Sequence, residues 1–217
     1  TNAGTRYVAG LIRAKIAAPV VPPATDPTLT KQFTRGTYTA SVSLYGLLGA
    51  PIDRAKRDLS RFRAAGFGNA RVWIDWGTID KYRMDGCAVF DEDGNFIEGG
   101  AKKLDGLTLY GESIGMRLDL TMHADHYKTF KVSDEGYDIS AHKRAIRNTL
   151  VRWGRRPAVR ILDMANEAEV RGPSPGSGSP ATGHVSPGRF LEMMEVARRV
   201  PRTCLVTCSV SGGGDCP

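Results

Sequence analysis

From residue 36 onward, segments rich in β-forming residues alternate with segments whose apolar residues recur every three or four positions. The segment NARVWIDW, for example, follows a helix-like stretch in which Ile52, Ala55, Leu59 and Phe62 form one apolar stripe. Strands that alternate with helices are typical of βα units around a parallel sheet, because parallel strands need a long crossover connection. The alternation therefore predicts an α/β fold.

Five strand-like segments and four intervening helices can be read along the chain at about 40 residues per unit, so eight units would need over about 300 residues. The strands are predicted in TYTASVSLYG, NARVWIDW, MRLDLTMH, AVRILDMANE and TCLVTCSV. An open nucleotide-binding sheet is the rival architecture, but YGLLGAP after the first strand contains no GxGxxG turn. We therefore predict a (β/α)8 TIM barrel, truncated after about its fifth strand.

Composition sets the domain boundary and narrows the partners. Residues 1–32 are predicted to be a Pro-rich extension or linker and residues 33–217 a partial barrel domain. The short apolar stretch near the N-terminus is interrupted by Arg13 and Lys15, which makes it a poor signal peptide, and no segment is apolar enough for a membrane span. The net charge of +7 is spread along predicted helices, so we expect a basic exterior rather than a nucleic-acid partner.

The cysteines form no CxxC pair and match no common zinc spacing. Two alternatives remain open: a disulfide between Cys204 and Cys216, or isolated thiols. The four cysteines are Cys87, Cys204, Cys208 and Cys216.

Residues suited to sugar chemistry cluster where predicted strands end. Asn166 and Glu167 end the fourth predicted strand, and Trp73 and Trp76 lie at the end of the second. In a parallel barrel these ends meet at the catalytic face. There a carboxylic acid can protonate a glycosidic oxygen, an amide can hold a neighbouring hydroxyl, and an indole can stack on a pyranose ring.

Period-two alternation predicts which of these side chains share a face of the sheet. One face of the second strand is expected to carry Arg71, Trp73 and Asp75. On the fourth strand, one face is expected to carry Asp163, Ala165 and Glu167.

These segments together resemble glycoside hydrolase clan A, the family 5-like cellulase and mannanase type, over about residues 36 to 212. ILDMANEAEVRG is similar to the clan's strand-four motif, in which an Asn-Glu pair ends the strand. LVRWGRRPAVR looks like the helix that leads into it, DLSRFRAAGFGNARVWIDW like the second unit, and GMRLDLTMH like the third strand.

The resemblance implies a retaining glycoside hydrolase that needs no cofactor and acts on a β-linked carbohydrate substrate. Glu167 would be the general acid/base and Asn166 the ligand of the sugar's 2-hydroxyl. Arg71 would support the nucleophile, and the sugar subsite would be lined by His123 and by Trp73 or Trp76. The clan's nucleophile is a Glu ending strand seven, so it is expected outside this chain, and hydrolysis by these 217 residues alone is not expected.

Two other functions remain open. A zinc metallohydrolase could use His123, Asp125, His126 and His184, because TMHADH resembles the later part of an HxHxDH motif, although Thr121 replaces its first His. A non-catalytic carbohydrate-binding remnant is the other alternative. Calcium binding by DEDGN is disfavoured, since that segment reads as a hairpin turn at Asp93-Gly94. A glycan substrate suggests a secreted or periplasmic protein.

Overall fold

The structure, a computed structural model, describes residues 41–44, 46–76, 88–91, 93–123, 125–126, 130–131, 139–166 and 187–209. All of them belong to one unit, Tyr38–Pro217. The expected domain boundary at residue 33 lies outside the described residues.

Strands and helices alternate as the sequence predicts. In chain order the described elements are β1 (Ser41–Leu44), α1 (Ile52–Ala64), β2 (Asn69–Trp76), β3 (Ala88–Phe90), α2 (Glu98–Ile114), β4 (Arg117–His123), β5 (Asp125–His126), β6 (Phe130–Lys131), α3 (Ser140–Trp153), β7 (Val159–Asn166), α4 (Pro187–Arg198) and β8 (Leu205–Thr207).

The main sheet has the strand order β1-β2-β4-β7-β8, and every neighbouring pair is parallel. Each strand therefore pairs with the next main strand along the chain. A doubly wound sheet reverses its strand order at a switch point, whereas a barrel adds each strand on the same side of the last one. The observed order within the described residues is that of a barrel.

The helices cover one face of this sheet with apolar side chains. On α1 the residues Ala55 and Leu59 are fully buried, and α1 packs against α2. α3 packs against α4, and its buried stripe includes Ile146, Leu150 and Trp153. Each of these stripes follows the three-to-four-residue spacing of an amphipathic helix, so the sequence pattern correctly predicts the covered face.

The segment after β3 forms the predicted hairpin turn. Phe90 and Phe96 form an antiparallel bridge, and Asp91 Oδ1 accepts hydrogen bonds from the backbone N–H groups of Asp93 and Asn95. Gly94 has φ of 78°, and a Cβ there would lie 2.1 Å from the carbonyl oxygen of Ala141 on α3. The Asp91 carboxylate thus closes a turn that packs directly on α3.

A polar cluster joins α2 to α3 on the outer layer. Asp105 on α2 accepts two hydrogen bonds from the Arg152 guanidinium, at 3.2 and 2.6 Å, and one from Trp153 Nε1 at 2.7 Å. Burial raises the pKa of the Asp105 carboxyl, but these hydrogen bonds together outweigh burial and lower it. The cluster therefore satisfies the indole N–H of the buried Trp153 and links two neighbouring helices.

His142 ties α3 to β7 from inside the protein. Its Nε2 lies 2.7 Å from the carbonyl oxygen of Met164, and because a carbonyl only accepts, Nε2 carries the proton. Burial lowers the pKa of His142 to about 4, although the hydrogen bond to Met164 opposes that shift. The imidazole is therefore neutral in the folded protein at neutral pH.

We expect this histidine to make the protein less stable in acid. As pH falls below about 6.5, His142 becomes protonated in the unfolded chain, whereas in the folded protein it stays neutral until about pH 4. The free energy of unfolding therefore falls progressively between these two pH values. The loss attributable to His142 between pH 7 and pH 4 is about 3 kcal/mol. Urea unfolding of the wild type and of His142→Gln at both pH values measures it. Equal losses in the two proteins would contradict the assignment.

Candidate active site

The sheet face opposite the helices is lined by polar and charged side chains. Strand register places Arg71 beside Asp119, and Thr121 beside Asp163. The residues between them in sequence, such as Val72 and Leu120, belong to the apolar core with the helices. Alternation along the strands therefore directs the charged residues to the other face, which is the interior of the barrel.

An irregularity in β7 decides what Asn166 can reach. Thr121 pairs with Asp163, but His123, two residues further along β4, pairs with Asn166, three residues further along β7. The extra residue on β7 breaks the period of two. Asn166 consequently reaches the same Arg71 nitrogen as Asp163. Strict alternation to the end of β7 is therefore wrong at Asn166, which lies on the side of Asp163, whereas Glu167 lies outside the described residues.

Arg71 is the centre of the resulting hydrogen-bond network. Its Nη2 donates to Asp163 Oδ2 at 2.8 Å, to Asn166 Oδ1 at 2.8 Å and to Ser209 Oγ at 3.1 Å. Its Nε donates to Thr121 Oγ1 at 2.9 Å. Four residues from three different segments, β4, β7 and the residues after β8, therefore converge on one guanidinium from β2.

The network fixes the orientation of the Asn166 side chain. An arginine can only donate hydrogen bonds, so the atom of Asn166 that faces Arg71 must be the amide oxygen. The amide nitrogen Nδ2, which carries two N–H donors, is therefore turned away from Arg71. This orientation leaves donors for an external acceptor such as a sugar hydroxyl.

Asp163 provides the counter-charge at the base of this network. Its side chain is 6% exposed, whereas that of Arg71 is 31% exposed. Burial raises the pKa of the Asp163 carboxyl, while hydrogen bonds from Ser209 and the charge of Arg71 act in the opposite direction. An ion pair that is buried at the carboxylate and exposed at the guanidinium directs its positive end outward.

A second ion pair lies deeper in the same face. Arg160 donates to both oxygens of Asp119, at 3.0 Å from Nε and 2.7 Å from Nη2. A second irregularity in β7, between the pairs that Leu118 and Asp119 make, places Arg160 where it meets Asp119. Barrel interiors are ordinarily filled by branched apolar side chains, so a fully formed ion pair here is an unusual filling.

Of the remaining residues expected at the site, the structure describes the side chain of Trp73 but not those of the others. Trp73 is half-buried, and the Arg71 guanidinium carbon lies 4.8 Å from its ring centroid, so one ring face is already covered. Trp76 and His123 are the last residues of β2 and β4, but their side chains lie outside what the structure describes. Glu167 follows β7 directly and also lies outside the described residues.

The zinc reading gains no support from the described part of the chain, where no group of three or more His, Cys, Asp or Glu side chains is arranged to hold a metal ion. Asp125 and His126 form the short strand β5, which pairs with β6 in a separate antiparallel sheet, and His184 lies outside the described residues. Of the cysteines, Cys204 and Cys208 are free thiols, whereas Cys216 is not described.

Across the described residues, no helix is long and apolar enough to cross a membrane.

Sequence reasoning did not assign a role to three residues of the network. Thr121 and Asp163 were recognisable as lying at the ends of predicted strands, but nothing in the sequence indicates that both bind Arg71. Ser209 gives no sequence signal, because its place depends on how β8 aligns with β7. The sequence predicts the strand ends, whereas the contacts between them require the register.

The described residues thus define a partial (β/α)8-barrel fold with a charged hydrogen-bond network in its interior that reaches the carboxyl end of β7. No protein-family model and no curated protein sequence matches this chain. Solved structures do match it. The endo-1,4-β-mannanase from Rhizomucor miehei is 16% identical, with a TM-score of 0.60 over 82% of this chain and 59% of the mannanase chain.

Two further matches have the same fold. A glycoside hydrolase family 5 mannosidase from Rhizomucor miehei is 15% identical, with a TM-score of 0.56 over 81% of this chain and 52% of that one. GH5_18 from Streptomyces cattleya, in complex with GlcNAc, is 16% identical, with a TM-score of 0.55 over 78% and 44%. This chain therefore spans about half the length of the structures it matches, and the likeness at this identity concerns the fold.

Proposed function

We propose that the protein is a retaining glycoside hydrolase that acts on β-linked glycans or oligosaccharides. Glu167 is its general acid/base, and Asn166 binds the 2-hydroxyl of the sugar at the cleaved bond. The observation that carries the proposal is the orientation of Asn166, whose amide oxygen is held by Arg71 at 2.8 Å so that Nδ2 is turned away from Arg71.

The position of the network supports this assignment. Catalytic residues in (β/α)8 barrels lie at the carboxyl ends of the strands, and Asn166 is the last residue of β7. Glu167 is the next residue along the chain. The solved structures of similar fold include a mannanase and a mannosidase, which favours mannose- or glucose-based β-glycans as the substrates to test first.

In the proposed mechanism Glu167 first donates a proton to the leaving glycosidic oxygen while a carboxylate nucleophile attacks the anomeric carbon. Glu167 then removes a proton from water, which displaces the enzyme from the glycosyl intermediate. Asn166 Nδ2 donates to the 2-hydroxyl, and this hydrogen bond strengthens in the transition state. We assign the nucleophile to none of these 217 residues.

Arg71 has two roles in this proposal. Its Nε and Nη2 hold Thr121, Asp163 and Asn166. Within the described part of the chain Nη1 donates no hydrogen bond, so it can serve the nucleophile carboxylate. A guanidinium beside a carboxylate favours the ionised form that nucleophilic attack requires. The sugar subsite would then be lined by His123 and by Trp73 or Trp76.

The stereochemistry of the first product tests this mechanism. The protein made from the complete gene is incubated with manno- and gluco-oligosaccharides joined by β-1,4 bonds, and the anomer released is followed by proton NMR before it mutarotates. Two displacements at one carbon restore its configuration, so we expect the β anomer. Release of the α anomer, or no hydrolysis of any β-linked glycan, would contradict the proposal.

A further inference from the structure

The Asn166 amide can bind a sugar hydroxyl through Nδ2 only while its oxygen stays turned toward Arg71. An amide that rotates by half a turn would place its own N–H groups against an arginine that offers only donors. What holds Arg71 in place therefore also decides which end of Asn166 meets the substrate.

Asp163 holds Arg71 in place through an ion pair. Its Oδ2 accepts from Arg71 Nη2 at 2.8 Å, and its Oδ1 accepts the backbone N–H of Ser209 at 2.8 Å. Both carboxylate oxygens are therefore used, by groups from β2 and from the residues after β8. A buried carboxylate bonded at both oxygens is a rigid anchor, and charge-assisted hydrogen bonds of this kind are the stronger ones in proteins.

The Ser209 hydroxyl contacts both Arg71 and Asn166. Its hydroxyl oxygen accepts from Arg71 Nη2 at 3.1 Å and lies 3.4 Å from Asn166 Oδ1, to which it can donate. Nη2 carries two N–H groups and faces three acceptors, so one N–H is shared between two of them. The Ser209 hydroxyl is one of these three acceptors, and its own O–H can give Asn166 Oδ1 a second donor.

We propose that Asp163 and Ser209 are positioning residues for the sugar's 2-hydroxyl, which act through Arg71 to hold the Asn166 amide with Nδ2 toward the substrate. The inference rests on the proposed function and adds two residues to its machinery. Neither residue touches the substrate. The part of their effect that acts through Asn166 must therefore be specific to substrates that have a 2-hydroxyl group.

The test compares an aryl β-glycoside with its 2-deoxy analogue, using the protein made from the complete gene. Ser209→Ala removes the hydroxyl but keeps the backbone N–H that binds Asp163, and Asp163→Asn removes the charge with little change of shape. We expect each variant to lower kcat/KM on the glycoside by about 10- to 100-fold, as for loss of an oriented hydrogen bond to a polar or charged group. On the 2-deoxy analogue we expect less than about a 3-fold change for Ser209→Ala, because that substrate does not use Asn166. For Asp163→Asn we expect a smaller loss on the 2-deoxy analogue than on the glycoside, because this variant also loosens the arginine that serves the nucleophile.

Matched controls separate positioning from loss of stability. Ser113→Ala removes a hydroxyl that bonds the carbonyl of Tyr110 on the exposed side of α2, and Asp105→Asn removes a carboxylate paired with Arg152 in the outer layer. Both controls should leave the ratio of the two kcat/KM values unchanged. Ser209→Thr, which keeps a hydroxyl, should recover part of the loss that Ser209→Ala causes.

Each outcome bears on one of the two proposals. A wild type that prefers the 2-hydroxyl substrate, with variants that lose equally on both substrates or lose nothing, would overturn the positioning role and leave the proposed function standing. A wild type that hydrolyses neither substrate would overturn the proposed function itself. Should Asp163→Asn fail to fold, Ser209→Ala alone decides the matter, because it leaves the ion pair of Arg71 and Asp163 in place.

Discussion

Glu167→Ala should lower kcat/KM on glycosides with unactivated leaving groups by about 100- to 10,000-fold, which is the contribution that a positioned general acid makes. The physical reason is that an alkoxide leaving group cannot depart without a proton. Steady-state assays on a natural β-linked oligosaccharide measure the loss. The neighbouring Glu169 provides a matched control, since Glu169→Ala removes the same side chain two residues along the chain.

The leaving group separates this role from a general loss of structure. A dinitrophenyl group leaves readily without protonation, so Glu167→Ala should still form the glycosyl-enzyme intermediate from a dinitrophenyl β-glycoside. Release of dinitrophenol should then show a fast burst followed by a slow steady rate, because the second step has lost its general base. Equal losses on both substrates, or a comparable loss in Glu169→Ala, would show that Glu167 is not the acid/base.

Asp119→Ala should destabilise the fold by about 3–5 kcal/mol, the cost of leaving a buried charge without its partner. Asp119 and Arg160 are 9% and 8% exposed, and Arg160 bonds both oxygens of the Asp119 carboxylate. Removal of the carboxylate leaves the guanidinium in the barrel interior without the negative charge on which Arg71 and Arg117 also act. Urea unfolding at neutral pH measures the change in the free energy of unfolding.

The paired replacement is the control for that experiment. Burial raises the pKa of the Asp119 carboxyl in spite of the hydrogen bonds from Arg160, which means that desolvation of the charge is not fully offset. Asp119→Leu combined with Arg160→Met should therefore be close to neutral, or stabilising by about 1–4 kcal/mol. A double variant as unstable as Asp119→Ala would show instead that the ion pair itself holds the strands together.

The elements of this fold were predictable from local sequence patterns. The β2 segment NARVWIDW and the apolar stripe of α1 match the described elements, because alternation and helical spacing are properties of neighbouring residues. The parallel order of the main strands also followed, since helices between strands require crossovers. The hairpin turn at Asp93-Gly94 was readable from turn residues alone.

The contacts of the site were less predictable, because they depend on register between strands. The extra residue in β7 moves Asn166 to the side of Asp163, and no local pattern in DMAN marks it. Ser209 joins the network only because β8 pairs with β7 in a particular alignment. Arg71 was expected to support a nucleophile, but its part in orienting Asn166 becomes visible only when both side chains are placed.

Azide added to the Glu167→Ala protein tests the central claim most directly. In a retaining glycosidase that lacks its acid/base, azide needs no deprotonation and attacks the glycosyl-enzyme at the anomeric carbon, forming a carbon–nitrogen bond as the enzyme carboxylate leaves. The account predicts that azide restores turnover of the dinitrophenyl β-glycoside and that the product is the β-glycosyl azide. Turnover unaffected by azide, or an α-glycosyl azide product, would contradict the assignment of Glu167 and the retaining mechanism.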